Sequence, residues 1–160
     1  MTNSTTEPVV RHAITVDAPI DRAFKVFTEG FDTWWPRGHH IAKVEMAEAV
    51  LEPRQGGRWF ERGVDGSECE WGRVLDWDPP RHVAVSWHLN GDFQYDPDPD
   101  KASRVDVRFS AESDTTTRVE LVHSGLDRHG ESWMQLRTGV SGPGGWPDIL
   151  VGFGEAARAT

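Results

Sequence analysis

Between positions 83 and 121, apolar side chains fall on odd numbers in three separate stretches: Val83, Val85 and Trp87; Val105, Val107 and Phe109; Val119 and Leu121. The even positions among them are mostly polar. Successive strand residues point to opposite faces, so this spacing demands a sheet with one buried face and one wet face. Turn chemistry punctuates the same region at residues 53–57, Asp65-Gly66, Asp78-Pro79-Pro80 and Ser113-Asp114. Residues 47–124 therefore read as an antiparallel meander. A further strand opens at Val9, where Val10, His12, Ile14 and Val16 share the buried parity.

The period changes on both sides of the meander. Pro19 suits a first helical turn, and Ile20, Ala23, Phe24 and Phe27 follow at i, i+3, i+4 and i+7, which predicts an amphipathic helix stopped at Gly30. Phe31-Asp32-Thr33-Trp34-Trp35-Pro36 reads as a short second helix or turn, and a loop with His39 and His40 leads on to the sheet. After the meander, Trp133 and Leu136 suit a short helix, and residues 141–145 break it. Trp146, Ile149, Leu150 and Phe153 then place an apolar stripe on a final helix. The order of strand, helices, meander and helix predicts one α+β domain over residues 9–158, a curved antiparallel sheet wrapped around its C-terminal helix. Residues 1–8 read as a disordered N-terminus.

A chain of 160 residues buries about two thirds of its unfolded surface, so no disulfide or metal staple is required. Cys69 stands alone and no leader pattern opens the chain, which points to the cytoplasm. No apolar run approaches the roughly 20 residues of a membrane-spanning helix. A net charge of −9, from 26 acidic and 17 basic side chains, opposes binding to nucleic acid. Eight tryptophans are the unusual feature, and such a number must line either a solid core or a cavity.

The segments Trp34-Trp35-Pro36, Gly56-Gly57-Arg58-Trp59, Trp71-Gly72-Arg73-Val74, Asp78-Pro79-Pro80 and Gly145-Trp146 resemble the activator of Hsp90 ATPase homologue 1-like family, in the START-like (SRPBCC) superfamily. The likeness runs from about Val9 to Ala157. It implies a helix-grip fold with a cavity between sheet and terminal helix. Relatives in the wider superfamily bind lipids, hormones or polyketides, and some catalyse cyclisation or dehydration. The Asn-x-Asn-Asn-Trp-His-Trp motif associated with chaperone stimulation in that family is absent here. Chaperone interaction is accordingly the weaker implication.

Trp34, Trp35, Trp59, Trp71, Trp87, Trp133 and Trp146, with Leu150 and Phe153 of the terminal helix, are the candidate wall for a small apolar molecule, since rigid rings offer contact area at little entropic cost. Plain core packing is the competing reading for each. Polar groups on the buried parity carry more information, because burial without a partner is costly. Arg73, in phase with Trp71 and Leu75, and His123, in phase with Leu121, would point towards the helix on unbroken strands. A bulge would turn Arg73 outward instead. His12 and Glu61 share the ambiguity, and His39 and His40 stand where a cavity mouth would lie, able to move a proton near neutral pH.

No histidine spacing suits a zinc site, and the aspartates at residues 92–101 lack the glycine and glutamate of a calcium loop. No metal and no cofactor is expected. Nucleophile-elbow and nucleotide-binding motifs are missing as well. The expected function is therefore binding of a small apolar or aromatic molecule, with a cyclase or dehydratase-like enzyme and a chaperone-interacting module as alternatives. A homodimer is left open.

Overall fold

The structure, a computed structural model, describes residues 7–159. The expected frayed segment falls largely outside them, at residues 1–6. Of its last two residues, Glu7 accepts a hydrogen bond on its carbonyl from Arg137 Nε, and Pro8 accepts one from the Leu126 amide.

Seven antiparallel strands form one curled sheet: β1 (Val9–Val16), β2 (Met46–Leu51), β3 (Arg58–Gly63), β4 (Glu68–Asp78), β5 (His82–Trp87), β6 (Ser103–Ala111) and β7 (Thr117–Ser124). Their order is β1-β7-β6-β5-β4-β3-β2, so the meander runs unbroken from β2 to β7 and β1 closes the far side against β7. Helix α1 (Ile20–Thr28) starts behind Pro19 and carries the chain from one edge of the sheet towards the other. A 3₁₀ turn at Phe31–Thr33 follows. Helices α2 (Trp133–Ser141) and α3 (Trp146–Ala159) end the chain. This is the α+β helix-grip fold expected from the sequence.

The predicted parity holds where strands are regular. Val83, Val85 and Trp87 pair with Val107, Val105 and Ser103 of β6, and the odd residues of β5, β6 and β7 are buried except Ala111 at the end of β6. Phe153 of α3, fully buried, meets Phe27 of α1 and Trp34 edge to face, which seats the terminal helix on the core. Burying each such ring contributes about 1.5–3 kcal/mol relative to exposure.

Strand β4 breaks the rule twice. Its register against β3 shifts between Trp59 and Phe60, and against β5 between Val74 and Asp76. Each extra residue rotates the following side chains to the other face. Arg73 is consequently exposed on the outer face, where its Nε donates to Glu70 at 2.7 Å, and it does not point towards the helix as an unbroken strand would require. Gly72 stands at the first shift for a second reason. A side-chain carbon there would lie 1.8 Å from the Ser86 carbonyl oxygen of the neighbouring strand, so only glycine fits.

Candidate functional site

The space deep between sheet and α3 is filled. Trp35 and Trp71, Trp59 and Trp71, Trp59 and Trp87, and Trp87 and Trp146 have ring centroids 5.3, 5.3, 5.7 and 5.6 Å apart. These separations match preferred aromatic packing. Only ≈ 10 Å³ remains open among Phe27, Phe31, Trp59 and their neighbours, about the room of one water molecule. Trp34, Trp59, Leu150 and Phe153 therefore belong to solid core, and none borders an open volume large enough for a ligand. Trp133, at the start of α2, packs partly buried against the same core.

A cleft of ≈ 320 Å³ sits on the outer edge of the aromatic stack, and a larger, more polar one of ≈ 730 Å³, lined by Arg73, Ser86, His88, Tyr95, Arg104 and Arg128, lies apart from the tryptophans. The first lies at the lower end of the about 300–1,000 Å³ typical of small-molecule sites. Trp35, Trp71, Trp87 and Trp146 form its back wall. Gly38, His39, His40 and Ile41 form one rim, Leu89 and Phe93 another, and Gly139, Val140, Gly144, Gly145 and Ile149 of the α2–α3 corner a third. Of the residues expected at a site, the cleft gathers four tryptophans and the two mouth histidines.

The polar chemistry of this wall is consumed internally. Trp35 Nε1 donates to the His39 carbonyl at 3.0 Å, Trp71 Nε1 to Glu61 at 2.8 Å, Trp87 Nε1 to the Leu89 carbonyl at 2.8 Å and Trp146 Nε1 to His123 Nδ1 at 3.1 Å. With all four indole N–H groups engaged, the tryptophans present apolar ring surface to the cleft.

Two predicted polar residues act behind the wall rather than in it. Glu61 is fully buried and accepts from the Ile41 amide at 2.6 Å, the Ala42 amide at 3.1 Å and Trp71. It ties the rim loop to the sheet. His123, likewise without exposure, lies behind Trp87 and Trp146 and shares Ser103 with His129, at 2.7 and 2.8 Å. Because Trp146 donates to Nδ1, the proton of His123 sits on Nε2 and is given to Ser103 Oγ. Burial, with the His129 charge second, pushes the His123 pKa down to about 3. His123 stays neutral and makes no contact with the cleft. His12 lies on β1, away from the cleft, with Nε2 buried and unpaired and its pKa lowered by burial.

The two rim histidines differ. A carbonyl oxygen only accepts, so His39, whose Nε2 lies 2.6 Å from the Gly144 carbonyl, carries its proton on Nε2 and latches one rim to another. His40 places Nδ1 2.9 Å from the Ala42 carbonyl and 4.0 Å from Glu61 Oε2, so Nδ1 carries the proton. Its Nε2 is left with a lone pair.

Sequence reasoning missed Phe93, Leu89, Ile41, Val140 and the rim glycines. Ile149 was on the predicted stripe of α3 but had no reason to be preferred over its neighbours. Phe93 had one readable signal, an isolated large apolar residue in a loop rich in aspartate. Among the described residues no group of acidic, histidine or cysteine side chains is placed to hold a metal ion. No helix among them is long and apolar enough to cross a membrane.

Comparison with solved structures gives relatives over nearly the whole chain. Txn09, an anthrahydroquino-γ-pyrone synthase solved in complex with the compound designated SUM, is 40% identical, with 92% of this chain and 96% of that chain covered and a TM-score of 0.66. CalC from Micromonospora echinospora, a self-sacrificing resistance protein, is 34% identical, with 96% of each chain covered and a TM-score of 0.69. Protein NE0264 from Nitrosomonas europaea shares the fold at 13% identity, with 99% of each chain covered and a TM-score of 0.64. No curated protein matches. The family model for activator of Hsp90 ATPase homolog 1-like proteins matches residues 17–152, and with the helix-grip architecture this establishes that the chain belongs to that family.

Proposed function

We propose that this protein binds a small, flat, polycyclic aromatic molecule in the tryptophan-backed cleft. One observation carries the reading: four indole rings with their N–H groups already engaged face an open ≈ 320 Å³, a surface suited to stacking rather than to charge recognition. The 40% identical protein, named as an anthrahydroquino-γ-pyrone synthase, supports this class of ligand. Its being a synthase favours catalysis on such a molecule, of the cyclase type, as the second reading.

Anthraquinone is a suitable probe. Titrated into the protein it quenches tryptophan fluorescence and raises the melting temperature by linkage. Gly139→Leu supplies the control. A side-chain carbon at Gly139 meets only the half-exposed Phe93 ring, at 3.6 Å, so the backbone accepts a side chain there, and leucine fills cleft volume and abolishes both effects. Equal quenching by wild type and variant would place the probe elsewhere and remove the proposal. Incubation with a polyketide-derived aromatic carrying an unclosed ring separates the two readings. Recovery at unchanged structure favours binding, and recovery of a cyclised isomer favours catalysis.

A further inference from the structure

We infer that His40 Nε2 accepts a hydrogen bond from a hydroxyl group of the aromatic ligand, so that the cleft selects hydroxylated rings over unsubstituted ones. The inference deepens the cleft reading and rests on it. Its grounds are an elimination among the polar side chains that border the cleft. The four indole N–H groups are spent on Glu61, His123 and two backbone carbonyls. His39 has its outer ring nitrogen committed to Gly144, leaving only Nδ1, the nitrogen nearest its own backbone.

His40 has the opposite arrangement. Its inner nitrogen is held by the Ala42 carbonyl, with the Glu61 carboxylate 4.0 Å away on the same atom. Both neighbours only accept, so the tautomer is set from behind and the tip nitrogen is a pure acceptor. Nε2 has no hydrogen-bond partner among the described residues, and the side chain is one quarter exposed on the cleft rim. Glu61 is itself immobilised by three donors, two of them backbone amides flanking His40 on its C-terminal side. The acceptor is therefore preorganised, which lowers the ordering cost of engaging a ligand hydroxyl.

The test compares anthraquinone with an anthraquinone bearing one hydroxyl on its outer ring edge, both titrated calorimetrically into wild type and His40→Phe. Wild type is expected to bind the hydroxylated probe about tenfold more tightly, the size of one unopposed neutral hydrogen bond. In His40→Phe the affinities for the two probes converge whatever their common level, while His40→Gln, which keeps an acceptor oxygen, restores part of the preference. A preference absent from wild type, or surviving in His40→Phe, overturns the inference and leaves the cleft reading standing. Failure of both probes to bind wild type overturns the cleft reading instead. An independent measurement on unmodified protein guards against misfolded variants. Nitrogen-15 spectra of the imidazole should show a bare Nε2 whose resonance moves with the hydroxylated probe and not with anthraquinone, and a protonated Nε2 in the free protein would refute the assignment.

Discussion

Residue by residue, the cleft is defined as much by what is already bonded as by what is open. Phe93 shows the point on the solvent side. It is the one non-glycine residue with positive φ among those described, at 58°, and it is 45% exposed. The Asn90 side chain holds the loop by accepting from the amides of Asp92 and Gln94, and Ser132 and Gln135 pin Gly91 to the α2 side. A large ring held in a strained conformation over an open cleft is an arrangement that packing alone does not reward. Phe93→Gly should therefore have effects of opposite sign. Relief of strain leaves stability unchanged or raises it by up to about 1 kcal/mol. Loss of the ring weakens anthraquinone binding about three- to tenfold. Melting curves and titration read the two effects separately, and a variant that loses stability while keeping full affinity would show the residue to be structural.

At the level of elements, the regular strands were legible and the irregular one was not. Alternation in β5, β6 and β7 identified their buried faces, because the β5–β6 and β6–β7 pairings keep a continuous register. In β4 the same arithmetic put Arg73 inside, although the register shift against β3 just before it turns it out. A bulge depends on which residue of the partner strand each residue meets, a non-local fact that a single segment does not encode. The Trp-Gly-Arg segment makes sense only afterwards, as the place where β4 passes close to the Ser86 carbonyl. Gly72→Ala should destabilise the fold by about 1–3 kcal/mol, since the obstruction is backbone and not a movable side chain. Urea denaturation measures it, and a loss below about 0.5 kcal/mol would mean the strands separate more easily than their packing implies.

For the molecule as a whole, the buried histidine pair couples β6, β7, the segment at Leu126–Ser132 and α3 through Ser103. Burial is the main cause that lowers His123 to about 3 and His129 to about 4. For His129 the nearby His88 adds to the shift and Asp96 opposes it. In the unfolded chain both bind protons near the ordinary 6.5, so below that value the unfolded state holds more protons than the native state. Their contribution is complete above pH 6.5 and is lost progressively as pH falls from 6.5 towards about 4 for His129 and about 3 for His123. The melting temperature should accordingly decline between pH 6.5 and 5, before carboxylates titrate, and His123→Gln with His129→Gln should flatten that decline. A melting temperature independent of pH over this interval would show the pair to be solvated.

The sequence by itself determined the α+β order, the buried faces of the regular strands, the stripe on the last helix and the family, because each rests on local periodicity or on segments in fixed order. Tertiary structure alone decided that the aromatic interior is solid and that the tryptophan-backed cleft opens at the edge of the stack. Whether rings close upon each other depends on their relative placement by strands and helices far apart in the chain. The division of labour between His39 and His40 follows the same logic. The two residues are adjacent and chemically identical in sequence, and only the carbonyls brought to them by Gly144 and Ala42 decide which ring nitrogen is left free.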